Sequence, residues 1–251
     1  MSIWQSVFLG TLQGITEFLP ISSSGHLLLA STIFKIPSNL FFDVMLHLGT
    51  LLAIIIVYRK LLWEIITLKH KKTLLYLVIA SVPTFIIAFV VKFFLPNLLT
   101  TKVLPIGFAL TIVMIVLSQL LSKEKFGIEN ARPIPFIVTG IVQGIAVIPG
   151  LSRSGSTISV MRLFGLDSKS SANFSFLLSI PVILGSALVE TIEVINTPVD
   201  IEWYCICAGV VCAFVSGILA VKAVIKIIAQ KNFIWFAVYL IIPLTLSFII
   251  L

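Results

Sequence analysis

Charge is what this chain lacks. Of its 251 residues only 11% are Asp, Glu, Lys or Arg, whereas 59% are hydrophobic and the mean hydropathy is +1.18. A water-soluble domain of that size needs far more polar surface to cover its core. A soluble enzyme or binding module is therefore excluded. Acids are scarcer than bases, and the formal net charge is +7. That excess does not imply nucleic acid, because the cations cluster in short segments between apolar runs, where the positive-inside rule accounts for them. Cysteine is scarce too. Cys205, Cys207 and Cys212 share one apolar run, form neither a CxxC pair nor a zinc spacing, and are odd in number. They read as small packing or lipid-facing residues. The first twenty residues hold no basic leader and contain Glu17, so no cleavable signal peptide is expected.

What is present is hydrocarbon in runs long enough to cross a bilayer as helices. Six such spans are predicted, at about Leu40 to Tyr58, Leu74 to Val91, Val103 to Leu121, Ala172 to Val189, Trp203 to Val221 and Phe233 to Leu251. The segments Arg59 to Lys72 and Ser122 to Arg132, and the connection with Lys222, Lys226 and Lys231, are rich in cations and should face the cytoplasm. Glu190 to Glu202 has acids but no Lys or Arg and should face outside. Counting spans through puts both termini outside.

Two further apolar segments are broken by Pro, Gly and Ser. Gly10 to His26 returns, altered, as Gly140 to Ser156, without a gap and at a constant offset of 130 positions. Gly10, Gln13, Gly14, Ile15, Ser22, Ser24 and Gly25 meet Gly140, Gln143, Gly144, Ile145, Ser152, Ser154 and Gly155. The register holds further on, with Asp43 opposite Asn173. Span counting requires each segment to enter and leave on one side as a re-entrant helical hairpin, the first from outside and the second from inside. The fold class is thus an all-α integral membrane protein. It has about six transmembrane helices, two inverted-repeat re-entrant hairpins, and one membrane domain over residues 1–251 with repeats at about 1–60 and 135–190. Broken backbone at membrane depth survives only inside protein or along a wet cavity, so the hairpin tips should meet within the bundle.

The copies differ in chemistry. The first carries Glu17 and His26; the second carries Arg153 at the place of Ser23. An ionisable group in an apolar segment is a functional hypothesis by default, and Arg153 and His26 are the partners expected for Glu17. A structural ion pair is the plainer reading, but it leaves the surrounding serines unexplained. Ser22-Ser23-Ser24-Gly25-His26 offers hydroxyls and backbone donors at the start of a half-helix, which attracts anions. Capping alone would need one serine. A hydroxyl near Glu17 and His26 has the parts of an activated nucleophile, and His26 can serve alone as acid or base. In Pro149-Gly-Leu-Ser-Arg-Ser-Gly-Ser-Thr157, Arg153 supplies a planar fork suited to phosphate oxygens, with Ser152, Ser154 and Thr157 around it. Cationic stabilisation of that kind is the main service that phosphoryl transfer requires. Arg162 better fits a residue snorkelling to the headgroups. Asp43 and His47 stand one helical turn apart, too few to claim a metal, and are expected to fix the hairpins or support the site. His70 lies in a basic segment and should be solvated.

Gln13-Gly-Ile-Thr-Glu17-Phe-Leu-Pro-Ile-Ser-Ser-Ser-Gly-His26 and Pro149 to Thr157 together resemble the signatures of the undecaprenyl-diphosphate phosphatases of the bacitracin-resistance type, and Phe42 to Thr50 and Asn173 to Pro181 look like further segments of that family. The resemblance implies hydrolysis of a C55 polyprenyl diphosphate to its monophosphate at the outer face of the bacterial plasma membrane, recycling the lipid carrier for cell-wall polymers. By that likeness Glu17, Ser23, His26 and Arg153 are catalytic. Gln13, Ser22, Ser24, Gly25, Ser152, Ser154 and Thr157 would bind substrate. Mg²⁺ or Ca²⁺ would assist by bridging diphosphate oxygens, with Glu17 its candidate ligand. Gln13 departs from the glutamate of many members and puts a two-carboxylate mechanism in doubt. Expected partners are the lipid substrate and bilayer lipids, with no nucleic acid; isoprenoid length and oligomeric state, a homodimer included, stay open.

The main rival is a transporter or flippase of polyprenyl phosphate, because inverted hairpins commonly mean alternating access. A second membrane lipid phosphatase class needs a histidine after its Ser-Arg; none follows Arg153. A structural scaffold would leave Glu17, Arg153 and His26 without a reason.

Overall fold

Helix dominates because a helix satisfies its backbone hydrogen bonds within its own segment, as lipid requires. The computed structural model describes residues 1–37, 39–194, 201–229 and 233–250. In chain order the helices are α1 (Ile3–Phe18), α2 (Ser23–Ile33), α3 (Leu40–Ile66), α4 (Lys71–Phe94), α5 (Leu104–Leu121), α6 (Ile134–Ile145), α7 (Arg153–Leu163), α8 (Ser168–Val194), α9 (Trp203–Ala229) and α10 (Ile234–Ile250). Among them α3, α4, α5, α8 and α9 are long and apolar enough to cross a bilayer, and the shorter α10 stands where the sixth span is expected. The protein is a multi-pass, all-α membrane protein. Lys231 and residues 195–200 of the outward segment fall outside the described residues.

The spans run longer than their apolar cores. Residues 59–72, expected as a loop, are largely helical: α3 continues through Arg59 and Lys60 to Ile66, and α4 begins at Lys71. The reason is local. Leu61, Leu62, Trp63, Ile65 and Ile66 continue the apolar sequence beyond the charged pair, and α3 continues with it. All four tryptophans, Trp4, Trp63, Trp203 and Trp235, are exposed and lie within about a turn of a helix end. That is where an amphipathic ring sits at a headgroup boundary.

The broken segments form two short-helix pairs. Helix α1 has 16 residues and α2 has 11; α6 has 12 and α7 has 11. At 1.5 Å per residue these are about 24 Å long at most, short of a hydrocarbon core of about 30 Å. In each pair the two helices pack on one another. The offset seen in the hairpins runs through the whole architecture. Shifting α2 by 130 residues gives the bounds of α7, and shifting α3, α4 and α5 lands on α8, α9 and α10. Packing follows the same correspondence: α1 lies along α9 and α6 along α4, α5 meets α7 and α10 meets α2, while α3–α8 and α5–α10 pair counterparts. Small residues permit the closest approaches. A methyl group at Gly10 would stand 2.2 Å from the Gly209 carbonyl oxygen, and one at Gly140 would stand 2.2 Å from that of Ala80.

Arg162 corrects its expected surface role. It is 2% exposed, donates to Ser118 and Gln119 on α5, approaches Glu124 and lies over the Phe233 ring. Its position in the last turn of α7 faces the bundle rather than lipid, so it ties the second hairpin to α5. His70 is at the surface, with Nε2 3.3 Å from Glu64 Oε2. The three cysteines are free.

Candidate active site

Each hairpin turns through a serine that caps the outgoing helix. Ser22 Oγ accepts from Gly25 N at 3.3 Å, and Ser152 Oγ accepts from Gly155 N at 3.1 Å. Both caps also approach the hydroxyl two residues on, Ser24 and Ser154, at 3.4 Å. The two turns meet: Ser154 Oγ donates to the Leu19 carbonyl at 3.0 Å, and a side chain at Gly25 would collide with Phe108 and crowd Gly150. The N-termini of α2 and α7 are thereby brought together, each with first-turn N–H groups that favour an anion.

Glu17, at the end of α1, is the hub. Its Oε1 accepts from Arg153 Nη2 at 2.6 Å. Its Oε2 accepts from Ser23 Oγ at 2.6 Å and from Gln13 Nε2 at 2.9 Å. The pair joins opposite charges across the two halves with little solvent: the Glu17 side chain is 4% exposed and that of Arg153 is 15%. A buried carboxylate without such donors would carry a large desolvation cost. Glu17, Ser22, Ser23, Ser24, Ser152 and Arg153 all line one cavity of about 240 Å³. At roughly 30 Å³ per water, that volume admits a phosphate group with a few waters.

Other residues named from the sequence stand behind the cavity wall. Gln13 reaches it through Glu17. Thr157 bonds Ser175 and the Arg153 carbonyl, which holds the first turn of α7 against α8. Gly25 and Ser154 serve the contact between turns. The expected partnership of His26 with Glu17 is not formed. Its Nδ1 bonds the Ser22 carbonyl at 2.8 Å, its Nε2 meets Tyr239 Oη at 3.0 Å, and its ring stacks on that of Tyr239. His26 lies one turn further along α2 than Ser23, where the Ser22 carbonyl and Tyr239 of α10 take both ring nitrogens.

The imidazole beside Glu17 is instead His47 of α3, whose Nε2 lies 3.8 Å from Oε2 and which lines the cavity. Its nearness depends on α1 packing against α3, a tertiary contact that spacing along the chain does not reveal. Gln143 and Glu190 also line the cavity. The register between copies pointed to Gln143, whereas nothing in the sequence singled out Glu190 as a cavity residue.

The divalent cation implied by the resemblance finds no protein-made cradle. Mg²⁺ and Ca²⁺ take six or more oxygen ligands. Among the described residues no three His, Cys, Asp or Glu side chains converge, and both Glu17 oxygens are engaged by N–H and O–H donors. Gln13 Oε1 is buried without a hydrogen-bond partner, and so is Gln143 Oε1, its counterpart in the second copy. The orphaned amide oxygen is thus shared by both copies of the repeat.

The family model of the bacitracin resistance protein BacA matches residues 6–244. The chain belongs to the BacA family. Relatives agree over nearly full length. A protein of Halothermothrix orenii named undecaprenyl-diphosphatase is 38% identical over 246 residues, covering 95% of this chain and 94% of its own. Proteins of the same name from Carboxydothermus hydrogenoformans and Treponema denticola are each 35% identical, covering 95% and 98% of this chain and 94% and 96% of their own. The BacA match thus covers both hairpin turns and every residue of the cavity.

Proposed function

We infer that this BacA-family chain hydrolyses undecaprenyl diphosphate to undecaprenyl phosphate and inorganic phosphate, recycling the lipid carrier at the outer face of the bacterial plasma membrane. The observation that carries the reading is the Ser23–Glu17–Arg153 chain, which puts a hydroxyl, a base and a phosphate-binding cation in one cavity between two helix N-termini. The name shared by the relatives supports the same substrate. The outward orientation is supported by the cavity's position beside Glu190, next to a segment that lacks Lys and Arg.

Arg153 and the N-terminal N–H groups of α2 and α7 hold the terminal phosphoryl group and take up charge as it transfers. Ser23 Oγ attacks that phosphorus while Glu17 Oε2, already its acceptor, takes its proton. The bond from phosphorus to the bridging oxygen breaks, and undecaprenyl phosphate leaves. Water then cleaves the phosphoserine. The isoprenoid needs an apolar path from this polar cavity, and two begin at its wall. Thr16 and Leu19 also line a groove of about 540 Å³ with Ile15, Trp235, Phe236 and Tyr239; Val147 and Val182 also line one of about 370 Å³ with Phe85, Phe89 and Phe93.

Purified protein in detergent should release phosphate from undecaprenyl and farnesyl diphosphates, and Arg153→Ala should abolish that release. Wild-type protein that moves the lipid phosphate but releases no phosphate would overturn hydrolysis in favour of transport.

A further inference from the structure

Of the described histidines, only His47 meets the reacting group, and the way its ring is held gives it a task. Nδ1 lies 2.7 Å from the Asp43 carbonyl oxygen. A carbonyl only accepts, so Nδ1 carries the hydrogen, and in the neutral ring the Nε2 lone pair is left facing the cavity. At 3.8 Å from Glu17 Oε2, Nε2 is beyond a direct hydrogen bond, but one oxygen atom about 2.8 Å from each can touch both. The side chain is 30% exposed and lines the same cavity as Ser23 and Arg153. His26 has no such freedom, because both of its ring nitrogens are engaged away from the cavity.

We propose that His47 Nε2 is the general base for the second half of the reaction, activating the water that clears phosphate from Ser23. The inference rests on the hydrolytic reading above. The step balances as follows. The water oxygen forms a bond to phosphorus and the bond from phosphorus to Ser23 Oγ breaks. One water proton goes to His47 Nε2 and the other stays on the departing phosphate. Ser23 Oγ recovers its proton from the Glu17 carboxyl group, and His47 later releases its own to solvent. Two bases therefore divide the two steps: Glu17 takes the serine's proton and His47 takes the water's.

The test is rapid-quench kinetics on purified full-length protein with terminally labelled farnesyl diphosphate, comparing wild type, His47→Gln and His47→Ala. His47→Gln should keep a single-turnover burst of farnesyl phosphate, while steady turnover falls roughly 10²–10⁴-fold and acid-stable label accumulates on Ser23. Imidazole added to His47→Ala should restore part of the steady rate and discharge that label. A histidine that only props the helices would slow burst and steady state together and would not respond to imidazole; that result overturns the proposal, as does a rate within a few-fold of wild type. Should His47→Ala fail to fold, the burst in His47→Gln decides alone. A wild type without turnover sinks the hydrolytic reading itself, whereas normal wild-type turnover without a burst in His47→Gln sinks only the role of His47.

Discussion

The two halves of this protein share a scaffold and divide the chemistry. Gln13 and Gln143 occupy the same place in α1 and α6, yet Gln13 donates to Glu17 at 2.9 Å whereas Gln143 donates to Thr84 Oγ1 at 3.1 Å. The reason lies four residues on, where the second copy has Val147 in place of Glu17. Ser23 answers to Arg153, His26 to Ser156 and His47 to Leu177. The first half thus keeps the acid, the hydroxyl and the imidazoles, and the second keeps the cation. Even the turns differ. Ser22 sits at φ 70°, a left-handed conformation that serine rarely adopts, whereas Ser152 sits at −73°. Strain of this sort persists where surroundings enforce it, commonly at active sites. A duplicated frame has kept the packing and specialised the polar positions.

The comparison breaks most visibly at the shared ion pair. Arg153→Ala should lower kcat/KM for phosphate release by about 10³-fold or more. Arg153→Lys should recover only part of it, because an ammonium lacks the planar fork. The glutamines provide a sharper contrast. Hydrogen bonds to charged groups contribute roughly 1.5–3 kcal/mol, so Gln13→Leu should cost tenfold or more in kcat/KM. Gln143→Leu, which loses a bond to a neutral hydroxyl, should cost clearly less; the reverse order would mean that the division of labour is misread. At the level of the frame the halves should respond alike. Gly10→Ala and Gly140→Ala each force a methyl against backbone and should destabilise by about 1–3 kcal/mol, seen as similar drops in thermal midpoint in detergent. Unequal drops would show that the frame is less symmetric than the helix bounds suggest. The smallest effect is expected from His70→Ala, whose half-exposed pairing with Glu64 should change stability by under about 0.5 kcal/mol.

Much of this was legible before any coordinates. Apolar run length gave the spans, and the gapless offset gave the hairpins and the pairing of Glu17 with Arg153. That pairing could be read because the repeat places both residues in matching turns, where a tertiary contact follows from symmetry. His47 is expected from the sequence only to fix the hairpins or support the site, because its approach to Glu17 has no counterpart in the other half, where Leu177 stands. His26 misled for the opposite reason. Its place after Ser-Ser-Ser-Gly suggests a neighbour of Glu17, but one turn further along α2 its ring is taken by Tyr239 of α10. Arg162 likewise read as a surface residue, since nothing in its own segment announces Ser118, Glu124 or Phe233.

Drawing one ion pair from both halves has a consequence for biosynthesis. Glu17 and Arg153 are 136 positions apart. At about 5–20 residues per second, the ribosome makes the acid on the order of ten seconds before its guanidinium exists. Until then the Glu17 carboxylate has only the Gln13 and Ser23 donors of its own hairpin, and its burial lacks the opposite charge that offsets it. In a fragment ending after α5 that acid would stay without its cation, so the first hairpin should be more open to water than in the whole chain.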